Sequence, residues 1–237
     1  MANKLVVAPA PHVQTSQSTA RIMRDVVIAL MPALAVSAVV FGVDVLRVTA
    51  LSVAACVLFE YLIQKFLVRG ASTIGNWSAV VTGVLLAFNL PASIPWWIVL
   101  IGAFVAIVVA KQLFGGLGFN FANPALLGRI VLFIGFAGRM TAYAFPQTDI
   151  DALASATPLV AGNSMAGKDM LLQLLLGAHG GVLGETCAVA LILGGIYLIA
   201  TKTISAAIPL SYIGTVAVLS LVLGQDVVLQ LFSGGLL

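Results

Sequence analysis

The chain has 237 residues, 61% of them hydrophobic and only 8% charged, with a mean hydropathy of +1.15. A soluble domain carries about 25% charged residues, so 11 basic and 8 acidic side chains cannot coat a water-facing surface, and a disordered chain needs the opposite balance. The Lys and Arg residues are scattered and form no basic face, which also excludes nucleic-acid binding.

The gaps between charges mark the predicted elements. Arg21 and Arg24 precede an uncharged run between Asp25 and Asp44 that is long enough for one membrane span. A signal-peptide core is shorter and leads into a polar chain, whereas here a second apolar run, 48–64, follows at once and is interrupted only by Glu60. The uncharged stretch 70–110 is broken at Asn89-Leu90-Pro91, predicting a short pass over 77–89 and a full one over 94–110. A Gly-rich stretch then leads through Asn123-Pro124 into a helix over 124–138. Residues 139–182 are mixed in character, and two further apolar runs occupy 183–200 and 204–224. The reading is an all-α polytopic membrane protein with about seven transmembrane helices, some short or broken. It divides into an N-terminal segment (1–24), a first bundle (25–138), a polar loop (139–182) and a further helical part (183–237).

Placing the N-terminus in the cytoplasm puts Lys4, Arg21, Arg24, Lys65, Arg69, Lys111 and Lys202 on the inner side. Only Arg47, Arg139 and Lys168 fall outside, with Arg129 inside a helix. The positive-inside rule therefore orients the chain with the 139–182 loop on the outer face.

The short passes rise only about 20 Å, less than the ~30 Å hydrocarbon core, and paired broken helices frame midplane sites in transporters. Asn123-Pro124 either starts an ordinary helix or offers a free helix N-terminus to a polar group. Arg129 sits inside a membrane helix, where a bare charge costs about 2.5–3.5 kcal/mol, so it faces a partner or a polar ligand. Glu60 reads equally as a residue of an ion path or as the partner of a charge on another span, and Glu185 as an interfacial helix-start acid. Cys56 and Cys187 read as small core residues. His12 reads as solvated, and His179 carries no ligand spacing. With no CxxC pair and no GxGxxG after a strand, the residues point to neither an iron–sulfur cluster nor a nicotinamide site.

Several strings together carry a resemblance: Asn76-Trp-Ser-Ala-Val-Val-Thr-Gly, Phe121-Ala-Asn-Pro-Ala-Leu, Gly128-Arg129, Ser155-Ala-Thr157-Pro-Leu, and His179-Gly-Gly-Val-Leu-Gly-Glu-Thr186. In this order, from about residue 20 to the end, the chain resembles the D subunits of Rnf complexes. Their sisters are the B subunits of Na+-translocating NADH:quinone reductases. The resemblance implies a component of a redox-driven pump that passes electrons from reduced ferredoxin to NAD+ and exports Na+ or H+. It implies FMN joined by a phosphoester to the residue matching Thr157, with Ser155 beside it, and leaves room for a second, non-covalent flavin. It also implies a flavin transferase during maturation, and the other Rnf subunits as partners in the membrane. Ala154-Ser155 departs from the Ser-Gly or Thr-Gly of many relatives, and the family continues past a Gly-Gly-Leu string such as Gly234–Leu236 with further helices, as two related repeats. Arg129 and Asn123 are expected to approach the flavin or its phosphate. The competing readings are the quinone-reductase B subunit, a non-redox channel or carrier, and a structural scaffold.

Overall fold

The computed structural model describes residues 18–68, 73–142, 181–185 and 187–232. The expected site residues Thr157 and Ser155, and both histidines, lie outside the described residues, as does most of the 139–182 loop.

The described residues are helical in the expected places, and the chain is an all-α polytopic membrane protein. Helix α1 (Thr19–Phe41) starts at Ser18, whose hydroxyl accepts from the Arg21 amide, and ends at Gly42. That glycine adopts φ 81°, a left-handed value that a side chain would oppose, and the chain reverses there directly into α2 (Val43–Ile63). The α2 axis runs on through a π-helical turn, Gln64–Val68. After the 3₁₀ turn Ile74–Asn76 come α3 (Ser78–Phe88) and α4 (Trp96–Phe104), the latter continued by a π-helical stretch, Val105–Gln112. Helices α5 (Pro124–Gly135) and α6 (Ala137–Met140) follow, then α7 (Ala188–Ala200), α8 (Ala207–Val222) and α9 (Val227–Gln230). Thr19–Phe41 and Val43–Leu67 are long and apolar enough to cross a bilayer, and five further apolar helices are shorter. Together these match the seven predicted runs.

Small residues let the bundle close. Helix α2 packs along α3 and α4, and α1 packs on α7. At the α2–α3 crossing, a Cβ on Gly83 would stand 2.6 Å from the Val53 Cα, so the two backbones touch. The buried Ser52 hydroxyl ties them by donating to the Gly83 carbonyl at 2.8 Å. Lipid gives no hydrophobic force between helices, so close packing and such cross-helix bonds hold them together.

Helix α3 has 11 residues and therefore rises only about 16 Å. Its end at Asn89-Leu90 would leave carbonyls bare. Instead the Leu183 and Gly184 amides donate to the Leu90 and Phe88 carbonyls at 3.1 and 2.9 Å. Buried non-helical backbone is stable where other protein satisfies it in this way. Gly184 is required for the approach, because a Cβ there would lie 2.8 Å from the Phe88 Cβ. The segment ahead of α7 thus plugs the break in α3.

Candidate functional site

Two polar clusters interrupt the apolar interior. The first lies at the α3 break. Arg129, in the middle of α5, donates from Nη1 to the Asn89 Oδ1 at 2.8 Å, and Asn89 returns its Nδ2 to the Leu85 carbonyl at 2.7 Å. The expectation that Arg129 faces a partner rather than lipid is met by an amide. Glu185 belongs to the same neighbourhood. Burial pushes its carboxyl above the ordinary range, against the opposing pull of the Arg129 charge and a hydrogen bond with the Val182 backbone.

The second cluster is a buried ion pair. The Lys111 Nζ donates to the Glu60 Oε2 at 2.6 Å and to the Ser78 Oγ at 2.7 Å. Glu60 is 0% and Lys111 1% exposed, on the α2 axis and on the π-helical extension of α4. The other carboxylate oxygen, Oε1, accepts from the Gln64 Nε2 at 3.2 Å and from the Thr73 hydroxyl at 2.9 Å. Gln64 also donates to that hydroxyl and accepts from the Thr73 amide at 3.0 Å, closing a three-residue ring. Trp77, just ahead of Ser78, takes a left-handed conformation at φ 62°, a rare and strained choice for a residue with a large side chain.

Of the two readings of Glu60, the structure gives it a partner on another span. The charge count places Lys111 on the inner side of the membrane; here its side chain is buried in the core. The charge count cannot tell the two apart, since an apolar run ending in a Lys looks the same whether the side chain leaves the membrane or turns inward. The signal that was available is the spacing Thr49, Ser52, Cys56, Glu60, Gln64. At steps of three and four, these residues form one buried polar stripe down α2.

Asn123 behaves as an ordinary helix start: its Oδ1 accepts from the Ala125 amide at 3.0 Å, with Pro124 in the first turn. It also lines a cleft of about 470 Å³ together with Ser78, Thr82, Lys111, Asn120 and Phe121. The structure therefore places Asn123 beside the Lys111 cluster, and Arg129 with Asn89 at the α3 break. Cys56 and Cys187 are both buried, and among the described residues no group of His, Cys, Asp or Glu is arranged to hold a metal ion.

The sequence model of the NQR2, RnfD, RnfE family matches residues 6–237. The chain belongs to this family. Among its relatives in the NQR2, RnfD, RnfE family is the D subunit of the Na+-translocating ferredoxin:NAD+ oxidoreductase complex of Acetobacterium woodii, 45% identical over 98% of this chain and 74% of the relative. A second is the D subunit of the proton-translocating ferredoxin:NAD+ oxidoreductase complex of Clostridium ljungdahlii, 37% identical over 99% of this chain and 76% of the relative. The D subunit of the ion-translocating oxidoreductase complex of Alcanivorax borkumensis is 35% identical over 98% of this chain and 76% of its own length.

Proposed function

We propose that this chain is the D subunit of a membrane complex that passes electrons from reduced ferredoxin to NAD+ and couples their flow to the export of Na+ or H+. The observation that carries the reading is the 45% identity, over 98% of this chain, to a protein named as that component. The absence of a Gly-rich nicotinamide loop and of clustered cysteines in the sequence suits an intermediate relay rather than either end of the electron path. The other subunits supply those ends.

FMN joined to Thr157 is the relay group in this reading. When bound, a flavin exchanges electrons one at a time, which suits transfer between single-electron centres. Attachment is a phosphoryl transfer: the Thr157 oxygen bonds to the FMN phosphorus of FAD, the pyrophosphate bond breaks, AMP leaves, and the hydroxyl proton passes to the flavin transferase. The neighbours in sequence, Ala154, Ser155 and Ala156, are small, which suits approach by that enzyme. The excess of Lys and Arg on one set of loops favours an N-terminus in the cytoplasm and Thr157 outside.

Under this orientation the α3 break and the segment 181–185 lie toward the outer face, on the same side as the Thr157 loop. In this reading Arg129, paired with Asn89, supplies positive charge for a flavin phosphate or a reduced ring. Asn123 caps the start of α5, so its part is to start the helix that carries Arg129.

The test is in-gel fluorescence. The complex, made with its flavin transferase, is denatured and separated, and the band of this chain is viewed under ultraviolet light. A fluorescent band that Thr157→Ala abolishes supports the relay; a dark wild-type band refutes it and returns the chain to the channel or scaffold readings.

A further inference from the structure

We propose that the oxygen cage around the Lys111 ammonium is an exchangeable site for a monovalent inorganic cation, with the lysine as its tethered occupant and an alkali cation as the alternate one. Two oxygens already hold a cation there, and further oxygens lie beside them. The Glu60 Oε2 and Ser78 Oγ stand 2.6 and 2.7 Å from the Nζ, and the Glu60 Oε1, Thr73 Oγ1 and Gln64 side chain form the ring behind it. Hard cations take such carboxylate, hydroxyl and amide oxygens. One negative and one positive charge are buried together, so removing either alone leaves a bare buried charge. An incoming Na+ that replaces the ammonium preserves neutrality, and the lysine is then free to move.

A place for the displaced lysine exists. Lys111 lines the same cleft as Asn120, whose Oδ1 is buried and has no hydrogen-bond partner among the described residues. A buried amide oxygen without a donor is costly and rare, and an ammonium drawn into the cleft supplies one. Two of the three Lys111 N–H groups bond within the cage, which leaves the third without a protein acceptor among the described residues. The backbone also suits a swing. Lys111 sits near the end of a π-helical stretch, and Gly115, Gly116 and Gly118, all at positive φ, follow it. π-helical turns recur at functional sites, where their wider spacing permits a local change of register. The cage has a way in from water as well, since Thr73 is exposed.

This inference rests on the pump reading only for Na+ as the cation to try; the exchange itself needs no flavin. The flavin band of the same preparations reports on the pump reading separately, so either can fail alone. The experiment is equilibrium dialysis of the purified complex against radiolabelled Na+ in choline-balanced buffer. Lys111→Met removes the tethered competitor and is expected to bind Na+ about tenfold more tightly than wild type, within the usual span of coupling between competing occupants. Glu60→Gln added to Lys111→Met is expected to cancel that gain. Asn120→Ala is expected to weaken Na+ binding severalfold in the wild-type background and to leave Lys111→Met unchanged, because only a chain with the lysine needs somewhere to put it. Na+ binding by Lys111→Met no tighter than wild type overturns the proposal. So does a gain that survives Glu60→Gln, or an equal loss from Asn120→Ala in both backgrounds. Should Lys111→Met fail to assemble, Asn120→Ala alone decides, with unchanged Na+ affinity overturning the exchange.

Discussion

Removing Lys111 gives the sharpest test of the buried ion pair as a stabilising element. At 2.6 Å and an effective dielectric constant near 20, the two charges attract by about 6 kcal/mol. Much of that attraction offsets the cost of taking both ions out of water, so the pair itself contributes far less to stability. Lys111→Met removes the attraction and leaves the desolvation, because the Glu60 carboxylate stays 0% exposed. The Ser78 hydroxyl loses its partner as well. The expected destabilisation is about 3–5 kcal/mol, the usual cost of breaking a buried pair from one side. Glu60→Gln is expected to destabilise similarly, and the double variant less than either single change, since a Gln and a Met carry no unpaired ion. The assay is reversible unfolding in mixed micelles with increasing SDS, in Na+-free choline buffer so that no metal cation can replace the lysine. The exposed pair Asp44–Arg47, 4.0 Å apart with both side chains about two-thirds exposed, serves as the control. Arg47→Ala there should change stability by less than about 1 kcal/mol. If Lys111→Met also costs less than about 1 kcal/mol, or if the double variant loses the sum of both single changes, the pair is not a desolvated, coupled unit and the reasoning fails.

Three further outcomes are expected. Gly83→Ala places a methyl group against Val53 backbone that cannot rotate away, and should cost about 1–3 kcal/mol in the same unfolding assay; a neutral result would mean that α2 and α3 are not in backbone contact. Arg129→Ala strips Asn89 of its donor and should lower thermal stability by about 1–3 kcal/mol. If the proposed relay holds, the substitution should also slow electron flow through the complex without removing the flavin proposed at Thr157, and intact electron flow would dissociate Arg129 from that relay. Glu185 has its folded-state pKa raised by burial. Its contribution is therefore most favourable below the ordinary glutamate pKa and is lost as pH rises through the raised value. The melting temperature of the wild type should fall over that interval relative to Glu185→Gln, and parallel pH profiles for the two proteins would contradict the raised pKa.

Much of the fold was legible from where charge is missing. Every predicted apolar run became a helix within a few residues, and the breaks at Asn89-Leu90-Pro91 and Asn123-Pro124 became helix ends. This follows from the solvent: in a bilayer, backbone groups must bond within their own segment, so a long uncharged run has little alternative to a helix. Arg129 was legible as a residue needing a partner, because a charge in hydrocarbon is too costly to stand alone. The partner was not, since an amide forty positions away in the chain carries no pattern that marks it. The plug of α3 by Leu183 and Gly184 was equally hidden, as it is made of backbone groups that every residue possesses.

The amino-acid sequence by itself determined the membrane class, the number and order of the apolar helices and, through ordered strings of residues, the family, because these depend on local composition and on identity along the chain. Only the tertiary structure decided that Lys111 is the buried partner of Glu60, that Asn123 caps the start of α5, and that Arg129, midway along it, reaches Asn89. Those facts depend on which helix faces lie against which, and helix faces are chosen by close contacts such as Gly83 on Val53. The low charge of the chain marked a membrane protein; the packing turned two of its few charges into one neutral site.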